Sequence, residues 1–281
     1  NLIHLTTHCH THHPHSPPFF PRSPPFPLGV ALSAPGTPMA SINDLATAAI
    51  ASSSARKRGA FIVLEGLDRS GKTTQVKLLE QRFVEEGRPV KVMRFPDRTT
   101  PIGQMIDAYL KSDIEMDDHA IHLLFSANRW EAVKQINALL AAGTTIICDR
   151  FYHSGIVYSA AKQNPMLSLS WARAPDRGLP RPDLVLFLDL DEAQARARGG
   201  WGGEVYEKAE MQRTVRKLFR EMIDGEAGGD EGLGDEGLGG LVAVDASRSV
   251  EEVAEDVWGR VREVVWPVDD GEAGRTVRVL P

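Results

Sequence analysis

The sequence predicts one α/β domain, a parallel β-sheet covered by helices on both faces. Three observations lead there. Short apolar runs recur without polar alternation, as in strands buried on both sides. Amphipathic stretches long enough for helices separate those runs. A glycine-rich loop joins the first run directly to the first of those helices, which places ligands at the carboxyl ends of the strands.

The elements follow in order. Ala60 to Glu65 (AFIVLE) reads as a buried strand. Thr73 to Glu86 carries Val76, Leu79 and Phe83 on one helical face and stops at Gly87. Val90 to Arg94 is a second strand. Asp117 and Asp118 open a long helix at its positive end, with Ile121, Leu124, Phe125, Val133, Ile136 and Leu140 as its apolar stripe and Gly143 as its end. Thr144 to Cys148 and Asp183 to Leu190 are two more strands. A helix ending near Ile223, a strand at Leu241 to Val244 and a helix from Val250 to Val261 complete the alternation.

The chain has 281 residues, 42% of them apolar, enough for a sizeable core. No apolar run approaches the roughly eighteen residues of a membrane span. The net charge of −6 arises in residues 224–240, which hold six acids and no base. Outside them the charges cancel, so the balance points to neither a nucleic-acid nor a membrane partner. That stretch repeats Asp-Glu-Gly-Leu-Gly in tandem from Asp230 and is expected to be a flexible surface insert.

Residues 1–58 are expected to be a disordered N-terminal extension, the folded domain to span 59–264, and 265–281 to be a C-terminal tail. Six of nine histidines fall between His4 and His15, around Cys9. A biased tract is the plainer reading, with metal binding as its competitor. Met39-Ala40-Ser41 reads like a natural start. Two cysteines, Cys9 and Cys148, are too few for a disulfide framework, so a reducing compartment is the default: cytoplasmic, with the nucleus as a second address. A transit peptide over 39–58, built on Ser52 to Ser54 and Arg56-Lys57-Arg58, keeps mitochondrial targeting open, although Asp44 argues against it.

Gly66-Leu67-Asp68-Arg69-Ser70-Gly71-Lys72-Thr73 fulfils G-x-x-x-x-G-K-[ST] between a strand and a helix. The glycines let backbone amides close around phosphate, and the helix N-terminus adds a positive field. Lys72 reaches the β- and γ-phosphates of a nucleotide, and the Thr73 hydroxyl ligates magnesium. Asp68 sets a carboxylate beside a nest built for anions, so it must turn to another donor. Arg69 puts a permanent cation where charge develops on a transferring phosphoryl group. Asp149-Arg150 follows a strand at its carboxyl edge, where Asp149 can hold the magnesium shell and Arg150 an acceptor phosphate. Phe125 and Arg129 lie four apart on one helical face. They suit a base and a phosphate of one nucleotide, but by spacing alone a core Phe with a solvated Arg is the simpler reading.

Seven stretches decide further: FIVLEGLDRSGKTTQ, RFPDRTTPIG, HLLFSANRWE, CDRFYHSGIVYSAAK, GLPRPDLVLFLDL, RGGWGGEVYE and VDASRSVEEV. In order and spacing, residues 59 to about 264 resemble the thymidylate kinase (dTMP kinase) family, its eukaryotic branch above all. The resemblance implies a single-domain P-loop NTPase fold with a short lid over residues 198–206, transfer of the ATP γ-phosphoryl group to dTMP, magnesium as cofactor, and a homodimer.

It also implies roles. Gly66 to Thr74, with Leu67 and Ser70 among them, would hold ATP, while Ser247 and Arg248 would border the adenine. Lys72, Arg69 and Asp149 would be catalytic, assisted by Arg198, and Thr73 and Asp149 would hold the metal. Asp68 would bind the deoxyribose 3′-hydroxyl, and Arg98 and Arg150 the monophosphate. Phe125 would stack on thymine, Arg129 would hydrogen-bond it, and Tyr158 would line its pocket. Tyr206 would crowd the 2′ position, Gln212 would lie near the acceptor, and Phe95, Ser154 and Gly155 would complete that pocket. The acidic insert and the N-terminal tract fall outside the family pattern, and Val205 stands where many relatives carry a charge. A switch-type GTPase would need an N-K-x-D stretch, which the chain lacks.

Overall fold

The apolar runs pair as five parallel strands in the order β2-β3-β1-β4-β5. The structure, a computed structural model, describes residues 58–199, 203–225, 240–269 and 276–281. The expectations for the N-terminal tract through residue 57, for 226–239 of the acidic insert and for 200–202 of the lid lie outside the described residues.

In chain order the elements are β1 (Phe61–Gly66), α1 (Lys72–Glu85), β2 (Val90–Arg94), α2 (Pro101–Leu110), α3 (Asp118–Ala141), β3 (Thr145–Asp149), α4 (Tyr152–Ala160) and α5 (Leu169–Arg173). A 3-10 turn (Ala174–Asp176) follows, then β4 (Leu184–Asp189), α6 (Glu192–Ala197), α7 (Ala209–Ile223), β5 (Leu241–Asp245) and α8 (Val250–Asp269).

The central strands have a physical reason for their unbroken apolar runs. Successive side chains of β1 point to opposite faces. Phe61 and Val63 enter one core with residues of α3, α4 and α7, and Ile62 and Leu64 enter the other with residues of α1 and α8. Both faces are dry, so the positions from Phe61 to Leu64 are all apolar, and Glu65 is the one buried charge of the strand. A truncation such as Phe61→Ala would cost about 3–5 kcal/mol. The edge strands β2 and β5 are only half-buried and accordingly mix Lys91 and Arg94 with valines.

Helix starts match their sequence signals. Asp117 caps α3 through the His119 amide at 2.9 Å, and Thr100 caps α2 through the Gly103 amide at 3.0 Å. Ser249 and Glu252 form a reciprocal capping box ahead of α8.

Two boundaries differ from expectation. The last helix does not stop at Val261: Val265 and Val268 continue its buried stripe, 2% and 1% exposed, so it runs on through Pro267. The segment after it is more than a tail. Leu280 is 1% exposed, and its amide and carbonyl pair with Leu179 and Gly178 beside an antiparallel bridge from Pro180 to Val279. The domain also begins one residue early, since Arg58 is buried and forks onto Asp183 at 2.7 and 2.6 Å.

The α3 stripe differs from expectation as well. Ile121, Ile136 and Leu140 are buried, but Leu124, Phe125 and Val133 are only half-buried. His122, Ser126, Asn128 and Arg129 are buried in their stead, so this helix turns a polar face inward.

Candidate active site

β1 ends at Gly66 with φ 151, and a Cβ there would lie 2.6 Å from Ser70 Oγ and 2.9 Å from the Leu188 carbonyl oxygen. Only glycine lets the loop pass that close. At the start of α1, Gly71 has φ 98 and offers no side-chain cap, and the first turn carries no acid. The leading amides and the positive end of the helix are therefore left for an anion. Lys72, 7% exposed, folds over this cradle and donates from Nζ to the carbonyls of Gly66 (3.1 Å) and Leu67 (2.5 Å). Burial and then the Arg150 charge pull its pKa down to about 8, against the carboxylates of Asp149, Asp68 and Glu65.

The cradle opens into a cavity of about 560 Å³ lined by residues 68–75, Arg94, Asp149, Arg150, Arg198, Ala246 and Arg248, among others. Leu67 takes part only through its backbone, because its side chain is fully buried. Ser247 is not among the lining residues; its hydroxyl donates to Asp245 at 2.6 Å. Arg198 spends its donors on the carbonyls of Arg69 (3.2 Å) and Ala246 (2.9 Å), tying the loop to the far rim. Arg69 lines the cavity with its guanidinium 3.9 Å from Glu207.

A second cavity, about 90 Å³, adjoins the first. Phe95, Arg98, Phe125, Arg129, Arg150, Ser154, Gly155, Tyr158 and Tyr206, which the resemblance assigned to the acceptor, all line it. Asp68 turns away from the anion nest, as required, but its partners are protein groups. Arg150 Nη2 meets it at 2.5 Å and Gln212 Nε2 at 2.9 Å. Burial works to raise the Asp68 carboxyl, yet Arg150 and Lys72 outweigh it and hold the group below its ordinary range. Arg150 also reaches Ser154 (3.1 Å) and the Tyr158 hydroxyl (3.2 Å). Gln212 is fully buried and sits behind the cavity, bracing Asp68 and the Tyr206 carbonyl. Arg98 bridges Asp107 (2.6 Å) and Glu204 of the lid (2.8 Å).

Three residues of the site were not singled out from the sequence. Glu65, fully buried, accepts from the amides of Phe151 and Ser154 and from the Ser154 hydroxyl. Burial raises its pKa despite Arg150. Arg94, at the end of β2, lines both cavities. Asp176 holds Arg129 in a buried ion pair at 2.7 Å. A charged residue ending a strand beside Asp149 was a readable hint for Arg94. Nothing local marked Glu65 or Asp176.

Asp68, Arg94 and Arg150 line both cavities, so any group passing between them moves past these three side chains. The donor side also fits magnesium. Thr73 Oγ1 lies 3.1 Å from Asp149 Oδ2, and Asp149 Oδ1 is buried with no hydrogen-bond partner among the described residues. Among those residues no cluster of three His, Cys, Asp or Glu could hold a metal by itself. A single carboxylate and a hydroxyl suit an ion that takes its remaining ligands from water and phosphate.

A phosphate cradle at the carboxyl edge of a parallel sheet, opening onto a second pocket with an aromatic wall and paired arginines, defines a P-loop nucleotide kinase. Comparison with known proteins narrows the class. The family model described as thymidylate kinase matches residues 64–257. The thymidylate kinase of Danio rerio is 46% identical over 72% of this chain and 89% of its own length. That of Homo sapiens is 43% identical over 72% and 90%. The solved thymidylate kinase of Candida albicans, 38% identical, superposes with a TM-score of 0.64 over 74% of this chain and 93% of that one. The chain belongs to the thymidylate kinase family.

Proposed function

We propose that the chain transfers the γ-phosphoryl group of ATP to dTMP, giving ADP and dTDP, by direct in-line displacement. The observation that carries this reading is the shared border of the two cavities. A triphosphate in the cradle and a monophosphate among Arg94, Arg98 and Arg150 would face each other across it.

Phosphoryl transfer leaves little covalent work for the protein, so catalysis is positioning plus charge stabilisation. Lys72 would trade its two loop carbonyls for phosphate oxygens. Arg69 would stand over the transferring group. Thr73 and Asp149 would hold magnesium, which when bound offsets charge on the donor phosphates. On the acceptor side, Phe125 would stack on the base with Arg129 at its polar edge, and Tyr206 would close on the sugar. The acceptor phosphate would replace Glu204 and Asp107 on Arg98.

Turnover with ATP and magnesium across dTMP, dUMP, UMP, CMP, AMP and GMP tests this. dTMP is expected to be preferred, and a purine acceptor turned over faster would overturn the reading.

The family resemblance suggests a homodimer. Leu123 and Trp130, two turns apart on α3 and 48% and 40% exposed, support an apolar contact there. Light scattering of Leu123→Glu should report a monomer. No helix of the described residues is long and apolar enough to cross a membrane. A cytoplasmic address rests on the sequence reading alone.

A further inference from the structure

Asp176 ends the 3-10 turn after α5 and is fully buried, far from any phosphate ligand in sequence. Its carboxylate forks onto Arg129: Nε and Nη2 donate to Oδ1 at 3.1 and 2.9 Å, and Nη2 also donates to Oδ2 at 2.7 Å. Ser126, one turn before Arg129 on α3, stands 2.7 Å from the same Oδ1. Across the guanidinium lies Gly155 of α4. A Cβ at that position would fall 2.7 Å from Nη2 and 3.0 Å from Nη1. Arg129 is thus held in a slot, with a carboxylate at one edge and a bare helix backbone at the other. Its side chain is 2% exposed. Among the described residues, Nη1 has no acceptor, and Arg129 lines the acceptor cavity.

We propose that Asp176, together with Gly155, is a positioning device for base selection: it fixes the Arg129 guanidinium so that Nη1 is the donor offered to the acceptor base. The inference rests on the reading that Arg129 faces that base. A guanidinium donates and never accepts. Held still, it favours a pyrimidine with a carbonyl oxygen at its edge and disfavours one with an exocyclic amino group, which would leave two donors opposed. Of the two exocyclic polar groups, the one at the 4-position differs between thymine and cytosine, which also lacks the 5-methyl group. A loose arginine could swing away from an amino group at little cost. One clamped by a buried carboxylate cannot, and a buried donor left unpaired is the strongest basis for rejecting an analogue.

The test measures kcat/KM with saturating ATP for three acceptors. These are dTMP, 5-methyl-dCMP, and the deoxyribosyl monophosphate of 5-methyl-2-pyrimidinone, which has no exocyclic group at the 4-position; all three share the methyl group. Wild type is compared with Asp176→Asn, which keeps shape and loses charge, and with Gly155→Ala, which should support the α4 helix while pushing on the guanidinium. Wild type is expected to favour dTMP over both analogues by ~100-fold or more. Both variants should shrink that ratio by about 10-fold or more through the KM for dTMP, with the KM for ATP changed by less than about twofold. If both variants lose activity equally on all acceptors, Asp176 is only structural and the proposal is wrong. If wild type does not distinguish dTMP from the pyrimidinone analogue, the Arg129 contact to the base fails, and the positioning role falls with it. A melting curve of each variant separates loss of fold from loss of selection, since an unfolded variant has no ratio to shrink, and Gly155→Ala then carries the decision.

Discussion

Arg94 and Asp149, the last residues of β2 and β3, are register partners, and Arg94 Nε stands 3.9 Å from Asp149 Oδ2. Parallel pairing alone delivers a cation to this strand-end carboxylate, at the border between the two cavities. The Arg94 side chain is 62% exposed, so it adds charge without tying down the core.

Arg94→Gln should therefore lower kcat by roughly 100-fold, the lower end for one lost transition-state donor. Stability should hold within about 0.5 kcal/mol, as for other exposed substitutions. A coupled ADP-release assay decides it, because unchanged kcat would show that the guanidinium takes no part.

Lys72 gives the pH prediction. Its ordinary value is 10.5, and burial in the cradle beside Arg150 pulls it down to about 8. Between those values the unfolded chain binds more protons here than the folded one, so this group makes folding more favourable as pH rises through that window. Phosphate reverses the balance by favouring the charged ammonium. ATP binding above pH 8 should then take up a proton and weaken with rising pH. Calorimetry in two buffers of different ionisation heat at pH 8.5 measures the uptake, which Lys72→Met should remove.

Arg69 carries the strongest catalytic prediction. Arg69→Gly should reduce kcat by roughly 10³-fold with nucleotide binding nearly unchanged, and Arg69→Lys should not restore it. Its nearby Glu207, 3.9 Å away, supplies the control. If Glu207→Gln costs as much kcat as Arg69→Gly, the arginine serves as a loop tether.

The C-terminal segment supplies a stability test remote from the site. Leu280→Ala should destabilise the domain by about 2–5 kcal/mol, as for a buried leucine. Urea unfolding that shows no change would mean the pairing of 278–280 with 178–181 contributes nothing.

The local parts of this protein were legible in the sequence for local reasons. The phosphate cradle is eight consecutive residues, and each central strand is a run that only a doubly covered sheet makes sense of. The starts of α2, α3 and α8 carried their own caps. Phe125 was harder, because a core aromatic and a base-stacking one share the same spacing. Its half-buried place on the acceptor cavity came from the structure.

By itself, the sequence determined the α/β class, the strand–loop–helix cradle and, through seven family stretches, the reaction. Only the tertiary structure decided how the site is braced. Asp68 meets Gln212 across 144 residues of chain, and Arg129 meets Asp176 across 47. Periodicity misread α3 for the same reason, since four polar side chains that look solvated in isolation are buried against partners from other elements. Burying a charge is tolerable only where another element brings its counter-charge into reach. Which element does so is a property of the folded chain, and no window of neighbouring residues contains it.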